Sequence, residues 1–475
     1  MVMGEMTQEV QLAIIGGGPG GYAAAFRAAD LGLDVMIISD DERLGGVCLL
    51  RGCIPSKSLL HVSNLLYDAR HARDIGLAFG EPEIDLDQVR GFKDKVVDKL
   101  TSGLMYIADK RSVQFVKGRA SFEDSETLRL QGADLAHVKF EHCIVATGSR
   151  PIALPGTEFR RNGRIMDSTG ALDLSDVPDR LLVVGGGYVG LEMGSVYAAL
   201  GSKVTVVEML DRLIAQADED LARPLVRRIE QIFEAVYTST KVAEMEEDDE
   251  GVEVTFEGEV EKTERFDRVL VSVGRRPNSN DLGLENTKVE VSERGFIQVD
   301  DRQRTADERI FAIGDVVGGV MLAHKAMYEG RIAAEVLAGE PSAFDARAIP
   351  AVVYTDPALA WAGLTENEAR EQGREIEVTR FPWTASGRAL TMDAPEGMTK
   401  LITDPESGLV LGYGVVGREA GEMISEGVLA IEMGAVAEDV AMAIHPHPTL
   451  AETQGEVAEL FLGSATHLLP QKKRK

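Results

Sequence analysis

The chain has 475 residues, 44% of them hydrophobic and 27% charged, an ordinary globular balance with room for about three domains. Its 50 basic and 78 acidic side chains leave a net charge of −28, a field that disfavours nucleic acid and anionic membrane as partners. No uninterrupted apolar run is long enough to span a bilayer, residues 1–10 carry no Lys or Arg, and only three cysteines occur, so a cytoplasmic protein is expected.

Gln11-Leu12-Ala13-Ile14-Ile15 reads as a buried strand, Gly16-Gly17-Gly18-Pro19-Gly20-Gly21 as a turn, and residues 22–29 as an Ala-rich helix. This is GxGxxG in the setting it needs. Gly16 permits the tight turn, Gly18 lets a pyrophosphate approach the backbone, and Gly21 lets the helix pack on the strand. The helix N-terminus offers unpaired N–H groups and a partial positive charge to the phosphates. At the offset where an acid would accept from an adenosine ribose stands Ser39, followed by Asp40, so the ribose contact is left between these two.

Next comes Gly45-Gly46-Val47-Cys48-Leu49-Leu50-Arg51-Gly52-Cys53-Ile54-Pro55-Ser56-Lys57, which holds two of the three cysteines. No second CxxC or HxxxH pair follows, so no metal site is expected. A thiol pair beside a nucleotide loop, in a chain that otherwise avoids cysteine, points to redox catalysis and not to a structural staple. Lys57 lies four residues after Cys53, one helical turn on and on the same face, where its charge favours a thiolate. Cys143 falls in a buried strand and is expected to be inert; Thr147, Gly148 and Ser149 form a small-residue turn just after it.

Arg180-Leu181-Leu182-Val183-Val184 leads into a second loop, Gly185-Gly186-Gly187-Tyr188-Val189-Gly190, and a helix running to Leu200. The strand of residues 203–207 ends at Glu208, 23 residues after Gly185 (208 − 185). A carboxylate there accepts from a ribose 2′-OH and repels a 2′-phosphate, so this site is expected to prefer NAD over NADP. The acidic residues 244–264 are expected to form a solvated hairpin turn, and the strand through Ile310-Phe311-Ala312 delivers Asp315 to a cofactor hydroxyl. From residue 349 the pattern changes to short strands and helices with no new Gly-rich loop, which reads as an interface domain. Near its end, His445-Pro446-His447-Pro448 is stiffened by two prolines, and His447 with Glu452 makes a base and a carboxylate to orient it. The basic residues 471–475 read as a solvated end.

Over residues 12–464 the chain resembles the two-dinucleotide-binding-domain flavoprotein disulfide reductases, and among them the members that oxidise dihydrolipoamide. The thiol segment, both glycine loops, the Ala146-Thr147-Gly148-Ser149-Arg150-Pro151 turn, Ala312-Ile313-Gly314-Asp315-Val316 and the HPHP-x3-E segment carry the likeness. It implies an α/β fold of two Rossmann-like domains, for FAD and NAD, plus a C-terminal α+β dimerisation domain. The divisions expected are 1–150 and 276–348 for FAD, 151–275 for NAD, and 349–475 for the interface.

The resemblance adds Gly45, Gly46, Lys57, Gly118, Leu322 and Ala323 to the FAD site, and Gly187, Tyr188, Val189, Val242 and Gly274 to the NAD site. It makes Cys48 and Cys53 the redox disulfide, with Cys53 against the flavin and Cys48 exchanging with substrate, and pairs Lys57 with Glu192. It also implies that His447 acts across a homodimer, so that a monomer would be inactive. No lipoyl module precedes Leu12, so the lipoyl group is expected on another protein, an acyltransferase (E2) of a 2-oxo-acid dehydrogenase complex or a glycine-cleavage H protein.

Two departures from the family pattern stand out: Ser39, and Leu50-Arg51 between the cysteines, where Arg51 is expected to lower the pKa of a nearby thiol. A glutathione-reductase-like enzyme is the nearest alternative, but Glu208 argues against NADPH. A mercuric reductase would need a C-terminal cysteine pair that is absent here, and a soluble transhydrogenase lacks the thiol pair. A mainly structural role as an assembly scaffold is the non-enzymatic alternative.

Overall fold

Parallel strands covered on both faces need nearly continuous apolar runs, and Val35–Ser39 is such a strand, buried at every position. In the computed structural model, which describes residues 6–160 and 163–469, it pairs in parallel with Thr7–Ile15. The expectations for the first five residues and for the basic 471–475 end lie outside the described residues. Thr7–Ile15 pairs in parallel with His137–Val145, and Gln114–Lys117 and Ile310–Ala312 extend the sheet. Two antiparallel strands, Arg119–Phe122 and Thr127–Gln131, complete a seven-stranded sheet.

Helices Pro19–Asp30 and Ala323–Leu337 pack against each other beside this sheet. Glycine permits their approach: a Cβ on Gly330 would lie 2.5 Å from the Gly20 carbonyl oxygen. The carboxyl ends of Thr7–Ile15, His137–Val145 and Ile310–Ala312 therefore open side by side, where open α/β sheets bind ligands.

The second sheet is five parallel strands in the order Ala235–Tyr237, Lys203–Val207, Arg180–Val184, Arg268–Val271, Ile165–Met166. The acidic stretch does turn at residues 248–251, where Asp248 accepts from the Glu250 and Gly251 amides and pairs with Arg265. Its flanks are strands of a three-stranded antiparallel meander, and the alternation of buried Val252, Val254 and Phe256 places one face in a core.

Ser149–Pro151 and Arg275–Pro277 form a two-stranded sheet, and a further antiparallel sheet of five strands, edged by Ala351–Val353 and Glu377–Pro382, packs against helices Ala420–Met433 and Glu452–Leu462. It is tied to the second nucleotide unit through Lys400, 1% exposed, whose Nζ lies 2.7 Å from Asp218 and 2.8 Å from Asp220 and also pairs with Glu366. Among the described residues, no helix is long and apolar enough to cross a membrane.

Candidate active site

Cys48 lies in the short helix Gly46–Arg51, and Cys53 opens the long helix Cys53–His71. The break between them needs glycine: a Cβ on Gly52 would sit 2.8 Å from the Val47 carbonyl oxygen. Both are free thiols here, hydrogen-bonded to each other. Donating that bond holds Cys48 far above the ordinary thiol pKa, helped by burial and by the charge of Cys53. Accepting it lowers Cys53 to about 7; burial opposes this and the positive charge of Lys57 reinforces it. Cys53 is exposed and, like Cys48, lines a cleft.

Lys57 Nζ is 2.8 Å from Glu192 Oε2 and 4.5 Å from the centre of the Tyr354 ring, while the Tyr354 N–H donates to Glu192 Oε1 at 3.0 Å. Glu192 is thus held on two sides. The Arg51 guanidinium turns to Asp41, with bonds of 2.5 and 3.2 Å, whereas the Lys57 charge lowers the pKa of both thiols. Asp41, two residues beyond Ser39, is thus the partner of the cation that stands between the two thiols in sequence.

The cleft has a volume of about 610 Å³ and runs from the thiols to the first glycine loop. Gly16 has φ +115°, and a Cβ on it would lie 2.2 Å from the Ala146 carbonyl oxygen; one on Gly21 would lie 1.9 Å from the Gly16 oxygen. Before Gly18 the space is open, because Gly46 passes beside it with no side chain, its own Cβ position being 2.5 Å from Gly18 Cα. Gly45, at φ +144°, gives the backbone its turn toward this contact. This is a cradle for a pyrophosphate, and FAD fits it by shape.

Ser39 and Asp40 both line the cleft. Ser39 is buried under Gly17 and accepts from the Asp41 N–H, whereas Asp40 is exposed. Gly118, whose N–H donates to the Ser39 carbonyl, Thr147 and Gly148 add to the wall. Ser149 Oγ donates to Asp315 at 2.5 Å and accepts from Arg275 Nε at 2.7 Å. Ala323 lines the cleft, while Leu322 stands behind it and accepts from the Ala326 N–H.

The second loop repeats the first. Gly185 has φ +108° and Gly190 packs against its carbonyl, while a Cβ on Gly187 would meet nothing within 4 Å. Glu208 accepts from the Gly186 and Leu210 amides at 2.7 and 2.8 Å, which aims its carboxylate along the loop. Tyr188 and Val189 face the first cleft as well. Gly274 has φ +130° and its carbonyl accepts from Ile152, whereas the Val242 side chain packs into the meander core.

His447 Nδ1 lies 2.7 Å from Glu452 Oε1, and Glu452 Oε2 accepts from the Thr449 N–H at 2.8 Å. Burial works against the Glu452 charge, but these two bonds hold its pKa below the usual range. The His447 side chain is 73% exposed. His445 is instead bound to Glu426 at 2.8 Å, with Gln454 on the other carboxylate oxygen. Among the described residues, nothing beyond Ala326 lines the thiol cleft, so the His447–Glu452 pair stands outside the cleft of its own chain.

Sequence reasoning did not single out Tyr354, Arg275, Asp41 or Glu426. Tyr354 lay inside a segment noted only for opening the interface region; the partners of the other three are distant in sequence, apart from the ten-residue reach of Asp41 to Arg51. Cys143 is fully buried, and burial alone raises its pKa, as an inert thiol requires.

Residues 10–330 match the pyridine nucleotide-disulphide oxidoreductases, and residues 349–458 match the dimerisation domain of that group. Dihydrolipoyl dehydrogenase of Haemophilus influenzae is 49% identical over 99% of both chains. The enzyme of that name from Halobacterium salinarum is 44% identical over 99% of this chain and all of its own. Among solved structures, LpdA of Mycobacterium tuberculosis superposes with a TM-score of 0.88, at 27% identity, over 95% of this chain and 99% of its own. The HOCl-induced flavoprotein disulfide reductase RclA of Escherichia coli gives 0.84 at 28% identity, over 95% of this chain and 99% of its own.

Proposed function

The chain belongs to the pyridine nucleotide-disulphide oxidoreductase family, and on that footing we propose that it acts as a dihydrolipoyl dehydrogenase. Its cofactors are FAD and NAD, and its substrate is dihydrolipoamide carried on another protein. The observation that carries the reading is the thiol pair on the cleft that runs to the first glycine loop, with Lys57 one helical turn from Cys53.

In the oxidised enzyme Cys48 and Cys53 form a disulfide. One substrate thiol, as the thiolate, attacks the Cys48 sulfur; the disulfide breaks and Cys53 leaves as a thiolate, which Lys57 stabilises. The second substrate thiol then displaces Cys48 from the mixed disulfide, closing lipoamide. His447 takes the substrate proton and Glu452 holds the resulting imidazolium, the pair coming from the second subunit of a homodimer. When bound, FAD would supply the two-electron redox chemistry that links the dithiol to NAD⁺. Glu192 keeps Lys57 in place for this charge separation, and Glu208 selects the dinucleotide without a 2′-phosphate.

The domain divisions that fit this scheme are 1–150 and 276–348 for FAD, 151–275 for NAD, and 349–475 for the subunit interface. The lipoyl donor is an E2 acyltransferase or a glycine-cleavage H protein, and the setting is the cytoplasm. The experiment is NADH formation from dihydrolipoamide and NAD⁺, with NADP⁺ replacing NAD⁺ and with NADPH and glutathione disulfide as parallel arms. Turnover with the first pair alone is expected. Turnover with glutathione disulfide and none with dihydrolipoamide would overturn the substrate assignment.

A further inference from the structure

Lys325 and Glu329 stand one turn apart on helix Ala323–Leu337, paired with each other and only 8% and 5% exposed. A buried ion pair is weak as a source of stability, and two apolar side chains would pack there at less cost. What the pair does instead is visible in its remaining bonds. Glu329 Oε2 accepts from the Gly314 N–H at 2.7 Å, and Lys325 Nζ donates to the Gly318 carbonyl at 3.0 Å.

Gly314 opens the turn Gly314–Val317 and Gly318 closes it; both have positive φ, +78° and +86°, and neither has a side chain to anchor it. Asp315 lies between them and reaches the cleft, where it accepts from Ser149. The ion pair therefore grips both ends of the turn that carries Asp315. Neither Lys325 nor Glu329 lines the cleft.

We propose that Lys325 and Glu329 are positioning residues for FAD, fixing the turn that presents Asp315 to a hydroxyl of the cofactor. This rests on the reading of Asp315 as an FAD contact. The bonds from the pair are charge-assisted and rigid, so the carboxylate is already aimed before the cofactor enters and less ordering is needed on binding.

The test is release of FAD from purified holoprotein, followed as recovery of free-flavin fluorescence, in a cycle of variants. Lys325→Met/Glu329→Leu is expected to release FAD about tenfold faster, and Asp315→Asn by a similar factor. Adding the double change to Asp315→Asn is expected to bring no more than about a further twofold, because the pair acts through Asp315. Lys325→Arg, which keeps charge and donors, is expected to stay within about twofold of the parent.

Release from the double variant at the parent rate overturns the proposal, and so does a full additional tenfold in the Asp315→Asn background, which would mark a merely structural role. If Asp315→Asn releases FAD normally, the reading of Asp315 is what fails, and the proposal falls with it. Should the double variant not accumulate as holoprotein, Glu329→Gln replaces it in the same cycle; it keeps an acceptor for Gly314, and about threefold faster release is expected, abolished in the Asp315→Asn background.

Discussion

Lys57 and Glu192 form a 2.8 Å ion pair between two helices that each follow a glycine, Gly52 in one case and Gly187 in the other. Lys57 thereby lies where its charge acts on Cys53, but it is not the main cause of the low Cys53 pKa; the hydrogen bond from Cys48 is. Cys48→Ala is therefore expected to raise the Cys53 pKa more than Lys57→Met does. In the reduced protein the alkylation rate should climb as pH rises through about 7, since the thiolate is the reacting form. Both variants shift that rise to higher pH. A larger shift from Lys57→Met would contradict the order of causes.

His447 carries the base role, with Glu452 bonded to its Nδ1. His447→Gln is expected to lower dihydrolipoamide turnover by about 10² to 10⁴, the range for loss of a general base. NADH oxidation by an artificial one-electron acceptor needs no thiol proton transfer and should keep its rate. Parallel losses in both assays would show that the substitution damages the fold or flavin binding instead.

His445 makes the opposite case. Its bond to Glu426 holds its pKa above the ordinary value, burial acting against it. A raised folded-state pKa stabilises fully below the unfolded value, about 6.5, and that contribution is lost as pH rises through the folded value. His445→Gln should thus lower Tm most in mildly acidic buffer and least in alkaline buffer, with turnover near that of the parent. A Tm loss that does not vary with pH would remove the charged pair from the explanation.

Much of this was readable from residues close together in sequence. The two glycine loops, the thiol segment and His447–Glu452 each span a few residues, and their chemistry follows from local geometry. Arg51 shows what that reasoning leaves out. The chain pattern gives its charge and its place between the thiols, but its partner Asp41 is fixed only when the loop after Val35–Ser39 meets the end of helix Gly46–Arg51. Tyr354 and the Lys325–Glu329 grip on Gly314 and Gly318 depend likewise on how separate segments dock. The acidic stretch near Asp248 hid an alternating apolar face, Val252, Val254 and Phe256, behind its charge.

Glu208 is held by two backbone amides, so its carboxylate is oriented without help from the dinucleotide. Glu208→Ser removes the charge that repels a 2′-phosphate. The ratio of kcat/KM for NAD⁺ over NADP⁺ is expected to fall by about tenfold or more, the scale of one charge-assisted bond lost and one repulsion relieved. An unchanged ratio in steady-state assays with both dinucleotides would place the discrimination elsewhere in the second site.

Lys400 is the remaining buried charge with a clear consequence. Its ammonium faces Asp218, Asp220 and Glu366, and Arg380 adds a second cation against the latter two. Burial pushes the Asp220 carboxyl up, but Lys400 and Arg380 hold it below the usual carboxylate range. Lys400→Met keeps the length of the side chain and leaves three acids facing Arg380 alone, Asp218 among them almost fully buried and without a cation. Breaking a buried pair from one side costs about 3 to 5 kcal/mol. Urea unfolding of the holoprotein should show a loss of that order, and adding Asp218→Asn should recover part of it, because the most buried carboxylate then carries no charge. A second substitution that only deepens the loss would mean that Asp218 matters through its bonds to the Glu366 amide and not through its pairing with Lys400.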